Sequence, residues 1–265
     1  MNPSELTFVA LLAAQEAGSI LQSGFRTTYE IASKPGKQNL VTAYDKASEK
    51  KIIEIIRDFY PTHGILAEES GSSLGKNDHP VWIIDPLDGT VNFAHGIPVF
   101  AVSIGVAIHN ELISGVIYHP LMKELFIAEK KKGAYLNGKR IHVNQKKELD
   151  SSLLATGFPY NVDENPHHCI DQFVYFTRKG IPIRRLGCAS LDLSYVALGS
   201  FSAYWEAILQ PWDVAAGQLL VEEAGGQVSD YKGNPRNLFS TDPLLASNKH
   251  LHEYMVQHLN QAAAE

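Results

Sequence analysis

A chain of 265 residues with 45% hydrophobic content can bury a large core, as one domain or as two tightly joined ones. Its 23 basic and 29 acidic residues leave a net charge of −6, which argues against direct nucleic-acid binding but not against a phosphorylated substrate, because a bound cation reverses the local field. The two cysteines, Cys169 and Cys188, have neither disulfide-framework nor metal-site spacing and fit a reducing cytoplasm; there is no apolar run long enough to span a membrane and no basic, apolar leader of the secretory kind.

Taken in order, Asn2-Pro3-Ser4-Glu5 predicts a helix start, with Asn2 as cap and Pro3 in the first turn. Leu6, Val9, Ala10, Ala13, Ala17, Ile20 and Leu21 share one helical face and carry the helix to about Gly24. Residues 34–39 read as a polar loop, and Leu40-Val41-Thr42 leads to a second helix marked by Ala47, Ile52, Ile55, Ile56 and Phe59 and stopped before Pro61. Asp45 lies at its start, where a carboxylate ordinarily complements the helix dipole. Residues 64–70 predict a short strand ending in Glu68 and Glu69, and residues 71–80 a polar loop.

The apolar run Val81 to Ile84 predicts a buried strand that stops at Asp85, since Pro86 cannot donate a ladder hydrogen bond. Asp88-Gly89-Thr90 then turns the chain. An Asp-rich turn with capping duty is the plain reading of such a string. The chemical reading is a metal-plus-phosphate site: Asp85 and Asp88 suit a hard cation such as Mg2+, and the free N–H groups of Gly89 and Thr90 suit phosphate oxygens.

Runs 99–108 and 112–118 predict a hairpin, and 124–129, 133–136 and 139–143 continue it, with Asn137-Gly138 as a two-residue turn. This much consecutive strand predicts a large antiparallel sheet. A strand over 153–156 follows, then a loop to 168, in which His167-His168 is a surface pair without a third ligand at useful spacing. A helix to about Lys179, a strand over 181–186, a helix from Gly187-Cys188-Ala189-Ser190 through Leu198, and a strand over 201–207 carrying Glu206 come next. Arg184 and Arg185 could meet a second anionic group, although surface or interface ion pairs are the simpler reading. Gln210-Pro211-Trp212-Asp213 opens a helix that Gly225-Gly226 stops; two short strands and a terminal helix to about Gln261 complete the chain.

Asp85-Pro86-Leu87-Asp88-Gly89-Thr90, with Asn92-Phe93 just after it, resembles the first signature of the inositol monophosphatase family of Mg-dependent phosphomonoesterases. Asn39-Leu40-Val41-Thr42 with Asp45, the Glu68-Glu69 pair, Gly187-Cys188-Ala189, and Trp212-Asp213 with Ala215 and Gly217 are similar to the family's other strings, so the resemblance spans nearly the whole chain. Lys34 falls where the family has a lysine. Two departures stand out: Ala67 occupies a Gly position, and Cys188 replaces a Thr, removing a hydroxyl. The resemblance implies an α+β fold, a layered α-β-α-β-α sandwich with a large antiparallel sheet and a second, mixed sheet. It implies one domain over 1–265, with halves of about 1–145 and 146–265, a homodimer and sensitivity to lithium.

For the site, the resemblance assigns Glu68, Asp85 and the Leu87 carbonyl to one Mg2+, and Asp85, Asp88 and Asp213 to a second, with Glu68 helping to hold a third; Mn2+ is a possible substitute. Thr90, oriented by Asp45, would position the attacking water, in direct in-line attack without a phosphoenzyme. Asp88, Gly89, Thr90, Gly187, Cys188, Ala189, Glu206 and Asp213 would border the substrate. The electrostatics argue the same way: like charges about 4 Å apart repel by roughly 4 kcal/mol at an effective dielectric near 20, so four carboxylates cannot receive a phosphate without cations. The expected activity is hydrolysis of inositol monophosphate or a similar polyol phosphate. The same chemistry on fructose 1,6-bisphosphate, 3′-phosphoadenosine nucleotides or NADP(H) is the alternative, and a non-catalytic role binding the transcription machinery is a reading of another class.

Overall fold

The computed structural model describes residues 4–29, 31–33, 40–73 and 79–262. Helix α1 (Glu5–Gly24) is capped by Ser4, whose hydroxyl accepts from the Thr7 amide at 3.5 Å. Asn2 and Pro3, the expected opening, lie outside the described residues, as do Lys34 and the rest of the 34–39 loop. The Ser4 amide donates to Glu129 Oε1 at 2.5 Å, and the Thr7 and Ser114 hydroxyls meet at 2.7 Å, which ties the helix start to the sheet below it. A strand pair that the sequence pattern did not predict, β1 (Ile31–Ser33) antiparallel to β2 (Leu40–Thr42), leads into α2 (Ala43–Phe59).

Next come β3 (Gly64–Ala67), β4 (Gly71–Ser73), β5 (Val81–Asp88), the short α3 (Thr90–Ala94), β6 (Ala101–Ile108), β7 (Glu111–His119), β8 (Glu124–Glu129), β9 (Gly133–Leu136) and β10 (Lys139–Ile141). They form one eight-stranded sheet in the order β10-β9-β8-β7-β6-β5-β3-β4. Tight turns with positive φ at His109 and Asn110, and at Asn137 and Gly138, make its hairpins. Every pairing is antiparallel except that of β3 with β5. Residues 71–73 are therefore an edge strand where a loop was expected.

The strand expected to stop at Asp85 runs on to Asp88. Its register against β6 shifts there: Asp85 lies opposite Ser103 and Asp88 opposite Ala101, so one extra residue bulges from β5. Pro86 sits inside that bulge, which is where a sheet tolerates a residue without an N–H. The Ser48 hydroxyl of α2 donates to the Pro86 carbonyl at 2.8 Å, giving the bulged backbone a partner.

The second half contains β11 (Leu154–Thr156), 3₁₀ turns at Val162–Glu164 and Pro166–His168, α4 (Cys169–Arg178), β12 (Ile183–Arg184), α5 (Ala189–Ala197), β13 (Ala203–Glu206), α6 (Pro211–Glu223), β14 (Gly226–Ser229), β15 (Leu244–Asn248) and α7 (His252–Ala262). Its sheet is mixed, in the order β12-β11-β13-β15-β14. The strand expected over 181–186 shrinks to an edge strand of two residues.

Strand alternation explains the layering. On β5, Trp82 and Ile84 face α1 and α2, packing with Ala13, Ala17, Ile52 and Ile56. Ile83 faces the other way, toward α5 and α6, among Leu193, Val214 and Ala215. On β13, Tyr204 joins that middle layer, whereas Ala203 and Trp205 face α4 and α7 with Phe176, Met255 and Leu259. The five layers are thus α1/α2, large sheet, α5/α6, small sheet and α4/α7. This is the expected α-β-α-β-α sandwich, and the middle layer is where both halves of the chain meet.

Candidate active site

The end of β5 carries the first acids. Asp85 is 2% exposed, and its Oδ1 accepts from the Leu87 amide at 3.0 Å across the bulge. Gly89 has φ +90°, and a Cβ there would stand 2.8 Å from the Val99 carbonyl, so only glycine makes this turn without strain. The turn starts α3, in which Thr90 is buried.

Asp45 satisfies both of its readings at once. As the third residue of α2, its Oδ2 accepts from the Thr42 amide at 2.7 Å and the Thr42 hydroxyl at 2.6 Å, closing a capping box. Its Oδ1 lies 3.0 Å from the Thr90 hydroxyl, which is also 3.0 Å from the Leu87 carbonyl. Burial raises the Asp45 carboxyl above the ordinary carboxylate range, and the Thr42 and Thr90 hydrogen bonds pull it back.

Helix α5 brings in the second half. The Asn92 side-chain amide donates to the carbonyls of Val99 and Leu186, at 2.8 Å each, and so binds α3 to the segment that enters α5. There the Ser190 amide donates to Asp88 Oδ2 at 2.6 Å. The Cys188 thiol, buried and free, lies 3.2 Å from the same oxygen. Cysteine thus supplies a weak donor at the position where a hydroxyl was expected to be lost. Burial and the Asp88 charge push this thiol well above its ordinary range, which makes it a poor nucleophile. Gly187 lies at the Asn92 side chain, and Ala189 opens α5.

Asp213 enters from α6, where it too closes a capping box: its Oδ2 accepts from the Gln210 amide at 2.7 Å. The fold brings Glu68, Asp85, Asp88 and Asp213 into one electrostatic group. Burial first, then the charges of Glu68, Asp88 and Asp213, raise Asp85 well above the carboxylate range; burial, Asp88 and Glu68 do the same to Asp213. Among the described residues, no three acid, histidine or cysteine side chains converge closely enough to hold a metal ion in the arrangement seen. The four are within reach of one another's charge without forming a closed ligand set. Their donors are all hard oxygens, in a buried place where mutual repulsion favours a cation, and to that extent the residues fit Mg2+.

Glu206 ends β13 within reach of the Asp88 charge. Its Oε2 accepts from the Tyr204 hydroxyl, and it packs so closely on Gly157 that any side chain there would strike its carboxylate. Burial raises its carboxyl to about 7, with Asp88 adding to the rise and Arg185 opposing it. It is not the solvent-facing strand end that a plain reading would allow.

Three neighbours were not singled out from the sequence. Thr42 was legible as the first residue of a Thr-x-x-Asp box. Asp192 of α5 is 1% exposed, and one of its carboxyl oxygens has no hydrogen-bond partner. Tyr160, in the loop after β11, has its phenol under the charges of Glu68, Asp213, Asp88 and Asp85. Nothing local in the sequence marks either of these two. His167 and His168 lie apart from the acids; His168 pairs with Asp171 at 3.3 Å.

The sequence profile of the Inositol monophosphatase family matches residues 2–264. The chain belongs to the inositol monophosphatase family. Its relatives include "Nus factor SuhB" of Escherichia coli, 40% identical over 258 residues, with 97% of this chain and 96% of that protein covered. Among solved structures, the extragenic suppressor protein suhB of Bartonella henselae superposes with a TM-score of 0.92 at 36% identity, covering 97% of this chain and 99% of that one. An inositol monophosphatase from Anabaena superposes with a TM-score of 0.86 at 41% identity, covering 97% and 95%. The described residues contain no helix long and apolar enough to cross a membrane.

Proposed function

We propose that this protein is a Mg2+-dependent phosphomonoesterase acting on inositol monophosphate or a similar polyol phosphate. The observation that supports this best is the gathering of Glu68, Asp85, Asp88 and Asp213 beside the buried Thr90–Asp45 hydrogen bond. Glu68, Asp85, the Leu87 carbonyl, Asp88 and Asp213 would hold the cations, their rotamers closing on the ions. Bound Mg2+ would neutralise the acids, polarise the phosphate and lower the pKa of water. Thr90 donates its one hydroxyl proton to Asp45, which turns its lone pairs toward a water proton and aims that water's oxygen at phosphorus. The amides of Gly89 and Thr90, at the start of α3, would donate to phosphate oxygens. Glu206 would accept a hydrogen bond from a hydroxyl of the alcohol part. Fructose 1,6-bisphosphate, 3′-phosphoadenosine nucleotides and NADP(H) are the alternative substrates for the same chemistry.

The test is kcat/KM over a panel of inositol, sugar and nucleotide phosphates with Mg2+, repeated in excess chelator and with Asp85→Asn. Turnover of a polyol phosphate that disappears in chelator and falls by orders of magnitude in the variant is the expected result. Turnover that survives both would reject the reading. Inhibition by Li+ beyond that of equal Na+, and a homodimer in sedimentation, belong to the same proposal.

A second reading is favoured by the relatives named as Nus factors: a role in binding the transcription machinery. Binding that persists in Asp85→Asn would establish that role as separate from the acids.

A further inference from the structure

Helix α2 turns a polar face to the site. Asp45, Ser48 and Glu49 stand at i, i+3 and i+4, so they share one side of its first turns. All three are buried, Glu49 at 4% exposure. Further along the same side, Ile52 and Ile56 join the apolar cluster of Trp82 and Ile84 on β5, as a packed helix face ordinarily does. The polar part reaches three separate segments instead. Asp45 Oδ1 meets the Thr90 hydroxyl at 3.0 Å, and the Ser48 hydroxyl donates to the Pro86 carbonyl at 2.8 Å. Glu49 Oε2 accepts from the Glu69 amide at 2.7 Å.

The segment that Glu49 holds is the turn carrying Glu68. β3 pairs with β4 as far as Ala67 opposite Gly71, and with β5 as far as Ala67 opposite Ile84. Residues 68–70 are therefore the tip between β3 and β4, beyond the last strand pair. The Glu68 amide still donates to the Ile84 carbonyl at 3.2 Å. One residue on, the Glu69 amide turns to Glu49. The backbone of Glu68 is thus fixed on both sides, by the sheet at its own amide and by α2 at the next. A buried carboxylate is a costly way to satisfy one turn amide, which water could serve if the turn stood free. What the carboxylate gains is register. The helix that already holds Thr90 and Pro86 also holds the end of β3.

We propose that Glu49 is a positioning residue of the cation site, whose Oε2 locks the β3–β4 turn to α2 and so sets Glu68 in register with Asp85 and Asp88. This rests on the reading of Glu68 as a cation ligand and adds to it a residue that touches neither ion nor substrate. Glu49 acts as an acceptor of the right reach, and its charge is incidental.

Two substitutions separate reach from charge. Glu49→Gln keeps an acceptor oxygen at the same reach without the charge. Glu49→Asp keeps the charge but is one methylene short of the Glu69 amide. The test is calorimetric titration of Mg2+ into the full-length protein without substrate, for the wild type and both variants, and for each of the three in a Glu68→Gln background. Glu49→Gln should stay within about threefold of wild type, and Glu49→Asp should bind Mg2+ about 10- to 100-fold more weakly, the range for lost partners that orient metal ligands. In the Glu68→Gln background, Glu49→Asp should cost no more than about twofold further, because the two positions act as one. Glu49→Ala, with neither reach nor charge, should match Glu49→Asp and takes its place if the shorter acid does not fold. Wild-type affinity in Glu49→Asp or Glu49→Ala would overturn the proposal. So would a comparable loss in Glu49→Gln, which would make the charge the cause, and a full loss that persists with Glu68→Gln, which would place Glu49 in support of the fold or of the other acids. A wild type that takes up no Mg2+ overturns the metal reading beneath the proposal as well, whereas one that takes up Mg2+ beside unaffected variants overturns the positioning role alone.

Discussion

Asp45 and Thr90 are both buried, come from different elements and share one hydrogen bond of 3.0 Å. If the pair orients water, Thr90→Ala and Asp45→Asn should each lower kcat by about 10²–10⁴-fold with little change in KM, the range for positioned proton-transfer groups. The double variant should lose little more than either single one, because groups that act as a unit are non-additive. Steady-state kinetics of the four proteins would show this, and fully additive losses would mean two separate roles. Glu206 makes a contrasting case, since the proposal gives it the alcohol part of the substrate and not the phosphate. Glu206→Gln should lower kcat/KM for a polyol phosphate while leaving an aryl phosphate without hydroxyls nearly unaffected. Equal losses on both would place Glu206 in support of the acids or of the fold.

At the scale of elements, the site depends on how helices begin and how one strand ends. Thr42 caps α2 and holds the carboxylate that meets Thr90, so cap and site share an atom group. Thr42→Val keeps the shape and removes the cap. It should cost roughly 0.5–2 kcal/mol in denaturant unfolding, the usual range for a lost N-cap, and should also lower kcat because Asp45 loses a restraint. An unchanged kcat would show that Thr90 alone suffices to hold Asp45. Gly89→Ala would force a side chain into the left-handed region and against the Val99 carbonyl. It should destabilise the fold by more than about 1 kcal/mol, read from the unfolding midpoint. The bulge at Pro86 sets the spacing of Asp85 and Asp88, and Ser48 of α2 secures it.

At the scale of the whole molecule, the acids come from β3, β5 and α6, so a cation held among them would bind both halves of the chain together. Mg2+ should therefore raise the unfolding temperature, by mass action on the folded state. Asp85→Asn should remove that rise, and a rise that survives the substitution would place the ion elsewhere. The outer layer predicts a pH effect of its own. His252 of α7 is 3% exposed, and its two ring nitrogens lie 2.8 Å from the hydroxyls of Ser247 and Ser229. Burial lowers its pKa from 6.5 to about 4. Below about pH 6.5 the unfolded chain takes up a proton that the folded chain refuses. Stability should therefore fall as pH drops from about 6.5 toward 4, by on the order of 3 kcal/mol in all. In His252→Gln that step should be absent from the pH dependence of the unfolding free energy.

The sequence by itself determined the family, through strings such as Asp85-Pro86-Leu87-Asp88-Gly89-Thr90 and Trp212-Asp213, and most of the element order, through period-3.6 and period-2 patterns and turn residues. Those signals are local, set by neighbours along the chain. Tertiary contacts decided what local signals cannot carry. Pro86 stays within β5 because β6 accommodates the bulge and Ser48 partners its carbonyl, neither of which is near it in sequence. Residues 71–73 became a strand because β3 offered an edge. Cys188 kept a contact with Asp88 because α5 starts against the end of β5. Each of these depends on the packing of distant segments against one another, and no single stretch of sequence encodes that packing.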